Sequence, residues 1–368
     1  MLNIIFYVFC GIALLQVSYY LVILGKFAFA KSHTTNPKRL PVSVIVCAKN
    51  EADNVRKLVP LLASQNYPDF EIVLIDDASA DETLDIFEEF EKQYHNVKLV
   101  KVANNEAFWG NKKYALTLGI KAASKEYLLF IDADCYPASE NWITQMSSHF
   151  TLNKTIVLGY GAYEKVKGSF LNKIIRFDAM LTASQYFSWA KAGKPYNAES
   201  RNLAYKKEEF FRINGYVDHM NIRTGEDSLF INQVATRKNT TACYTPESFT
   251  YSEPKHSYRA WHMQKRRDVY TMAWFRPFAK FHIRFFHITQ LAFLALAITL
   301  FALQFNWMLL VPVVALRYLS TWIVIGYSAA RLREKDVAWW YPVMEIILIF
   351  TQVNVFLTNI FSKPVHWK

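Results

Sequence analysis

Between residues 41 and 131 the chain alternates short apolar runs with stretches whose apolar residues recur at helical spacing. This alternation limits the fold more than any other feature. Residues 42–46, 70–75, 97–100 and 127–131 read as strands. Residues 52–64, 81–94 and 112–123 read as the helices between them, with Val55, Leu58, Val59 and Leu62 marking the buried face of the first. Strands joined by helices pair in parallel through right-handed crossovers, so a mostly parallel, Rossmann-like α/β sheet is expected. Residues 127–131 form an unbroken apolar run, as suits a strand covered on both faces. No Gly-x-Gly-x-x-Gly follows the first strand and no P-loop occurs, which argues against the usual dinucleotide and P-loop sites.

Polar residues gather where the strands end, and the carboxyl ends of such strands are where open α/β sheets bind ligands. The first strand runs into Ala48-Lys49-Asn50-Glu51, the second into Asp76-Asp77-Ala78-Ser79-Ala80-Asp81, and the fourth into Asp132-Ala133-Asp134. A helix N-cap accounts for Ser79 or Asp81. It leaves Asp76 and Asp77 unexplained, because adjacent buried carboxylates repel unless something engages them. An Asp-x-Asp pair alone arises by chance about once in a chain of this length. At a strand end, however, two hard oxygens suit a Mg²⁺ or Mn²⁺ that also holds phosphate oxygens.

The flanks of this segment are apolar. Residues 4–24 carry no charge and are followed by Lys26, Lys31, Lys38 and Arg39. They read as a signal-anchor helix with the next domain in the cytosol, and the missing basic leader argues against a cleaved signal peptide. Residues 285–305, 307–327 and 339–361 are three further candidate spans, with Arg331, Arg333 and Lys335 on the cytosolic side and Arg317 expected to face protein or water. Four crossings would put Lys363 and Lys368 outside, against the positive-inside bias, which leaves room for a re-entrant span. Residues 256–287 mix basic and aromatic side chains as a helix in the interface plane does. The expected divisions are therefore 1–28, an α/β domain at 40–255, interface helices at 256–284 and membrane helices at 285–368, in the inner (cytoplasmic) membrane. This also accounts for a net charge of +11 with only 20% charged residues. No basic helix or aromatic ladder of a nucleic-acid reader is present, so nucleic acid is not an expected partner. Four cysteines without CxxC spacing fit a reducing compartment.

Several motifs in order carry a resemblance. Val42-Ser-Val-Ile-Val-Cys-Ala-Lys-Asn-Glu51, Ile72-Val-Leu-Ile-Asp-Asp-Ala-Ser-Ala-Asp81, Gly110-Asn-Lys-Lys-Tyr-Ala-Leu116, Phe130-Ile-Asp-Ala-Asp134, Asn202-Leu-Ala-Tyr205 and Gly225-Glu-Asp-Ser-Leu229 together resemble the family 2 glycosyltransferases of GT-A fold, over roughly residues 41–255. The resemblance implies a nucleotide-sugar donor, UDP-linked rather than GDP-linked. Asp77 would hold the nucleoside with Glu51 close by, and Asp132 and Asp134 would face the diphosphate and a Mg²⁺ or Mn²⁺. Lys112 or Lys113 would neutralise phosphate unless it is simply an exposed lysine at a helix start. Asp227 would be the general base of an inverting transfer, against the alternative of an acidic helix cap. A retaining mechanism through a covalent intermediate needs a second carboxylate for which no candidate stands out.

Two departures from the family pattern are visible. Glu199, Ser200 and Arg201 precede Asn202 where the family has small residues. Gln264-Lys-Arg-Arg267 resembles the Gln-x-x-Arg-Trp element of membrane synthases, with Arg266 or Arg267 as candidates to reach the diphosphate, but Asp268 stands where the tryptophan would be. That tryptophan contacts the acceptor sugar in processive synthases, so its replacement counts against a polymerase. The expected activity is transfer of one sugar to a hydroxyl of a lipid or lipid-linked glycan at the bilayer, as in the ceramide and hopanoid sugar transferases that the span arrangement also resembles. A processive polysaccharide synthase and a catalytically silent assembly subunit are the alternatives.

Overall fold

Strand β1 (Val42–Ala48) is the axis of the main sheet, its side chains almost wholly buried. In this computed structural model, which describes residues 2–31, 37–103 and 112–362, seven strands form that sheet. They are β1, β2 (Phe70–Asp76), β3 (Val97–Lys101), β4 (Tyr127–Phe130), β6 (Ile156–Leu158), β8 (Leu203–Lys206) and β9 (Thr240–Ala242), in the order β3-β2-β1-β4-β8-β6-β9. A second sheet takes β5 (Cys135–Pro137), β7 (Gly161–Tyr163) and β10 (Thr250–Ser252) in the order β5-β10-β7.

The first four strands are parallel, as the alternating pattern predicts. Ala48 is level with Asp76 and Ile45 with Phe130, so the chain leaves β1, β2 and β4 at one edge of the sheet. The helices Ala52–Ala63, Thr83–Gln93 and Lys112–Ala122 return it to the other edge, and the first buries Val55, Leu58, Val59 and Leu62 as expected. Gly119 lets the helix Lys112–Ala122 lie against the sheet, since a Cβ there would come within 2.1 Å of the Ile75 side chain. Beyond β4, strand β8 runs antiparallel to both its neighbours.

The chain divides into two units. One is this α/β unit, built on His33–Lys167 and Gly193–Lys255; the other takes Met1–Ser32, Gly168–Ala192 and His256–Lys363. In the second unit four helices are long and apolar enough to cross a membrane: Leu2–Ala28, Pro277–Ala302, Trp307–Arg331 and Tyr341–Phe361. Two boundaries differ from the divisions expected from sequence. The helix Phe170–Lys191, inside the expected 40–255 domain, groups with the apolar helices. Its Phe187 ring lies 5.1 Å from Phe27 and its Phe177 ring 6.2 Å from Tyr341, while Arg176 pairs with Glu334 and Asp336. Residues 277–284, expected in the interface segment, are the first turns of the long helix Pro277–Ala302, with a proline at its start where the missing N–H costs nothing. What remains of the expected interface segment is the helix Tyr258–Met272. Arg317 faces protein as expected, its guanidinium donating to Glu345 and, at 2.6 Å, to Gln16.

Candidate active site

The loops after β1 and β2 are laced together. Asn50 and Ala78 both take positive φ, of 55° and 52°, which turns their neighbours toward each other. The Asn50 side chain accepts from the Ala80 N–H at 2.7 Å, and Ser79 Oγ accepts from the Asn50 N–H at 3.1 Å. Asp81 accepts from the N–H groups of Thr83 and Ala52, serving the starts of two helices at once. Glu51 sits at the start of the helix Ala52–Ala63, with Asn54 donating to its carboxylate at 2.6 Å. Asp77 is buried, and its Oδ2 has no hydrogen-bond partner; the nearest cation, Lys49 Nζ, lies 3.7 Å away. Burial pushes the Asp77 carboxyl above its ordinary pKa, with Lys49 pulling it back. An orphaned buried acceptor is costly, and this oxygen is open to a further donor.

A second network joins the end of β4 to the start of the helix Ser228–Val234. Lys112 Nζ lies 2.8 Å from both Asp132 Oδ1 and Glu226 Oε1. Ser200 bridges the carboxylates on either side of it: its hydroxyl donates to Asp132 Oδ2 at 2.9 Å and its backbone N–H to Asp227 Oδ2 at 2.7 Å. The other Asp227 oxygen accepts from the Ser228 N–H, so Asp227 is the N-cap of that helix. Burial, reinforced by the neighbouring Glu226 charge, pushes its carboxyl up to about 7. Burial also opposes the Asp132 charge, but Lys112 and Ser200 outweigh it and hold that carboxyl below its usual value.

The two lysines behave differently from an exposed pair at a helix start. Both are buried. Lys113 donates to the carbonyls of His219, Ile222 and Thr224 at 2.6–2.9 Å, anchoring the loop that leads to Gly225, and is thereby withdrawn from phosphate. Lys112 is held between Asp132 and Glu226, so its expected phosphate contact requires a change of partners. Asp132, expected to bind metal, has both oxygens engaged. Asp134 is exposed, with only a 3.6 Å contact from the Cys135 thiol to its carboxylate. Among the described residues no three His, Cys, Asp or Glu side chains form a metal cage. One exposed carboxylate at the strand end fits a Mg²⁺ or Mn²⁺ completed by phosphate oxygens rather than by protein.

Ser200, Glu226 and Arg201 belong to the network and were not singled out from sequence. The one signal was the unexpected Glu199-Ser200-Arg201. Arg201 pairs with Glu199, donates to Ser252 Oγ at 3.0 Å and stacks 4.4 Å over Tyr163. Asn202, fully buried behind it, donates to the carbonyls of Tyr160 and Ser248 and accepts from Trp142 Nε1. Gly110 and Asn111 of the third motif lie outside the described residues. Arg267 lies half-buried on the helix Tyr258–Met272 of the other unit; Arg266 beside it is taken up by Asn359 and Ser362.

A mostly parallel sheet thus collects carboxylates at the ends of β1, β2 and β4, the edge at which open α/β sheets bind ligands. Residues 43–222 match Glycosyl transferase family 2. The chain is 32% identical over 123 residues to a poly(ribitol-phosphate) beta-glucosyltransferase of Bacillus spizizenii, covering 31% of this chain and 19% of that protein. It is 27% identical over 172 residues to the dolichyl N-acetyl-alpha-D-glucosaminyl phosphate 3-beta-D-2,3-diacetamido-2,3-dideoxy-beta-D-glucuronosyltransferase of Methanococcus voltae, covering 46% and 49%. The matches thus span about a fifth and about half of these relatives. Among solved structures, a mannosyltransferase from Pyrobaculum calidifontis in complex with GDP-Man and Mn²⁺ superposes with a TM-score of 0.56 at 16% identity, covering 93% of this chain and 99% of that one, which establishes the shared fold. Residues 43–222 thus carry a glycosyltransferase family 2 domain, and the fold is GT-A.

Proposed function

We propose that the protein is a membrane-bound inverting transferase that moves one sugar from a nucleoside-diphosphate sugar to a hydroxyl of a lipid or lipid-linked glycan. The observation that carries this reading is the Ser200 bridge. It holds Asp227, a carboxylate raised to about 7, beside Asp132 at the strand end. A carboxyl with that value is half ionised at neutral pH and suits proton removal from an acceptor hydroxyl. Asp77 would accept from the nucleoside with Glu51 nearby, and Asp134 would bind the divalent metal with the diphosphate. When bound, the metal supplies charge that stabilises the leaving diphosphate. Lys112, once released from Asp132 and Glu226, would add positive charge to the diphosphate end of the donor.

Asp132 orients rather than ligates: it fixes Lys112 and Ser200, and Ser200 fixes Asp227. The apolar helices favour an acceptor at the bilayer, with the α/β unit on the cytosolic side, where Lys26 lies in the last turn of the first helix and Lys31, Lys38 and Arg39 follow it. The relatives include enzymes named for a polymer and for a dolichyl-phosphate glycan, so the acceptor is proposed only at the level of a membrane-associated hydroxyl. The test is release of nucleoside diphosphate by the purified full-length protein from UDP-, GDP- and dTDP-sugars with Mn²⁺ or Mg²⁺. Turnover of a UDP-sugar is expected; turnover of none, with metal present, contradicts the reading.

A further inference from the structure

The helix Tyr341–Phe361 is engaged in two different ways along its length. As far as Glu345 it sits among the other apolar helices. The Tyr341 ring lies 6.2 Å from Tyr318 and 6.4 Å from Trp322, and Glu345 accepts from Arg317 and, at 3.0 Å, from Gln290. From Thr351 onward its partners change. Thr351 meets Tyr258 at 3.3 Å, Asn354 meets His262 at 2.7 Å, Asn359 accepts from Arg266 at 2.9 Å, and Ser362 Oγ accepts from Arg266 at 2.8 Å. Partners 258, 262 and 266 advance together with 351, 354 and 359, so the two helices run side by side in the same direction.

The helix Tyr258–Met272 carries Arg259, His262, Lys265, Arg266 and Arg267 within its 15 residues. A helix so charged does not lie in hydrocarbon, where every such group is costly. Mixed with Tyr258, Trp261 and Tyr270, it belongs at the headgroup boundary. A helix hydrogen-bonded along it shares its depth. The composition of the last helix agrees: at 100° per residue, Thr351, Asn354, Thr358, Asn359 and Ser362 fall on one face, and Phe350, Phe356, Leu357, Ile360 and Phe361 on the opposite one. The five apolar residues are all exposed.

We infer that the helix Tyr341–Phe361 does not cross the membrane: beyond Glu345 it lies with Tyr258–Met272 as a two-helix platform along one leaflet, its Phe350, Leu357 and Phe361 face taking the acyl-chain boundary. Three helices then cross. An odd count returns the C-terminus to the side of residues 29–276, which also places Lys363 and Lys368 where positive charge is favoured. The inference rests on the apolar helices lying in a membrane and is independent of the transfer chemistry.

The test uses the full-length protein in sealed membrane vesicles, with one epitope tag after Lys368 and a second inserted after Gln304, probed with proteinase K before and after permeabilisation. The C-terminal tag should be digested together with the 29–276 segment and on the opposite side from the Gln304 tag. Digestion of the C-terminal tag together with the Gln304 tag would overturn the platform. Digestion of all three together would show that Pro277–Ala302 does not cross, which removes the three-crossing arrangement, overturns the platform as well and leaves the enzyme reading untouched. Should the inserted tag prevent folding, spin labels at Phe350, Leu357 and Phe361 in liposomes decide. A platform gives one shallow depth for all three, whereas a crossing helix spreads the first and last by about 16 Å at 1.5 Å per residue.

Discussion

Asp227 uses one oxygen to cap a helix and the other to meet Ser200, so its two readings from sequence, helix cap and general base, describe one side chain. A base must be ionised to act. With its carboxyl raised to about 7, kcat/KM should fall about tenfold for each pH unit below 7 and level off above it, as a pH–rate profile would record. Burial is the larger cause and the Glu226 charge the second, so Glu226→Gln should move the profile part of the way toward lower pH; an unmoved profile would mean that another group titrates. The sequence revealed the acidic strand ends and Asp227 because they fall in short motifs of fixed spacing. It did not reveal Ser200 or Glu226 as members of the network, because their roles arise only when residues 112, 132, 200 and 226 meet from four separate parts of the chain. Lys112 and Lys113 show the converse: adjacent in sequence, they point to different partners because neighbouring helix positions are turned about 100° apart.

At the level of elements, β8 and the short segment before it connect the two sheets. Asn202 ties the Tyr160 carbonyl before β7, the Ser248 carbonyl before β10 and the Trp142 indole into one buried knot. Removing its amide takes the donor from the Ser248 carbonyl and the acceptor from the Trp142 indole, and leaves the Tyr160 carbonyl only the Thr250 N–H. Asn202→Ala should therefore cost roughly 2–4 kcal/mol, read as a lowered thermal midpoint, and should weaken activity through Ser200. Gly159 has the same dependence, since a Cβ there would lie 2.4 Å from the Asn202 side chain. The first four strands were legible because each is an apolar run between amphipathic helices. β5, β7, β9 and β10 were not, because three residues are too few to show a period of two. The antiparallel course of β8 depends on its tertiary neighbours and leaves no mark in its own sequence.

For the molecule as a whole, the apolar spans were legible by length, whereas the membership of Phe170–Lys191 was hidden by a mixed composition that suits either a core or a membrane-associated helix. The proposed metal dependence belongs at this scale, because Asp134 is an open carboxylate among the described residues and the substrate would complete the site. Chelation should abolish turnover, and added Mn²⁺ or Mg²⁺ should restore it. Asp134→Ala should raise the metal concentration needed for half-activation at least tenfold while leaving the thermal midpoint within a degree or two, since Asp134 is exposed and bears no structural hydrogen-bond network. Asp227 is proposed to perform the proton transfer and to leave donor binding to other residues. Donor affinity and single-turnover transfer measured side by side for wild type and Asp227→Asn test this role. Donor binding within about twofold of wild type and transfer slowed by roughly 10²–10⁴ are expected. Transfer by Asp227→Asn at the wild-type rate would contradict it.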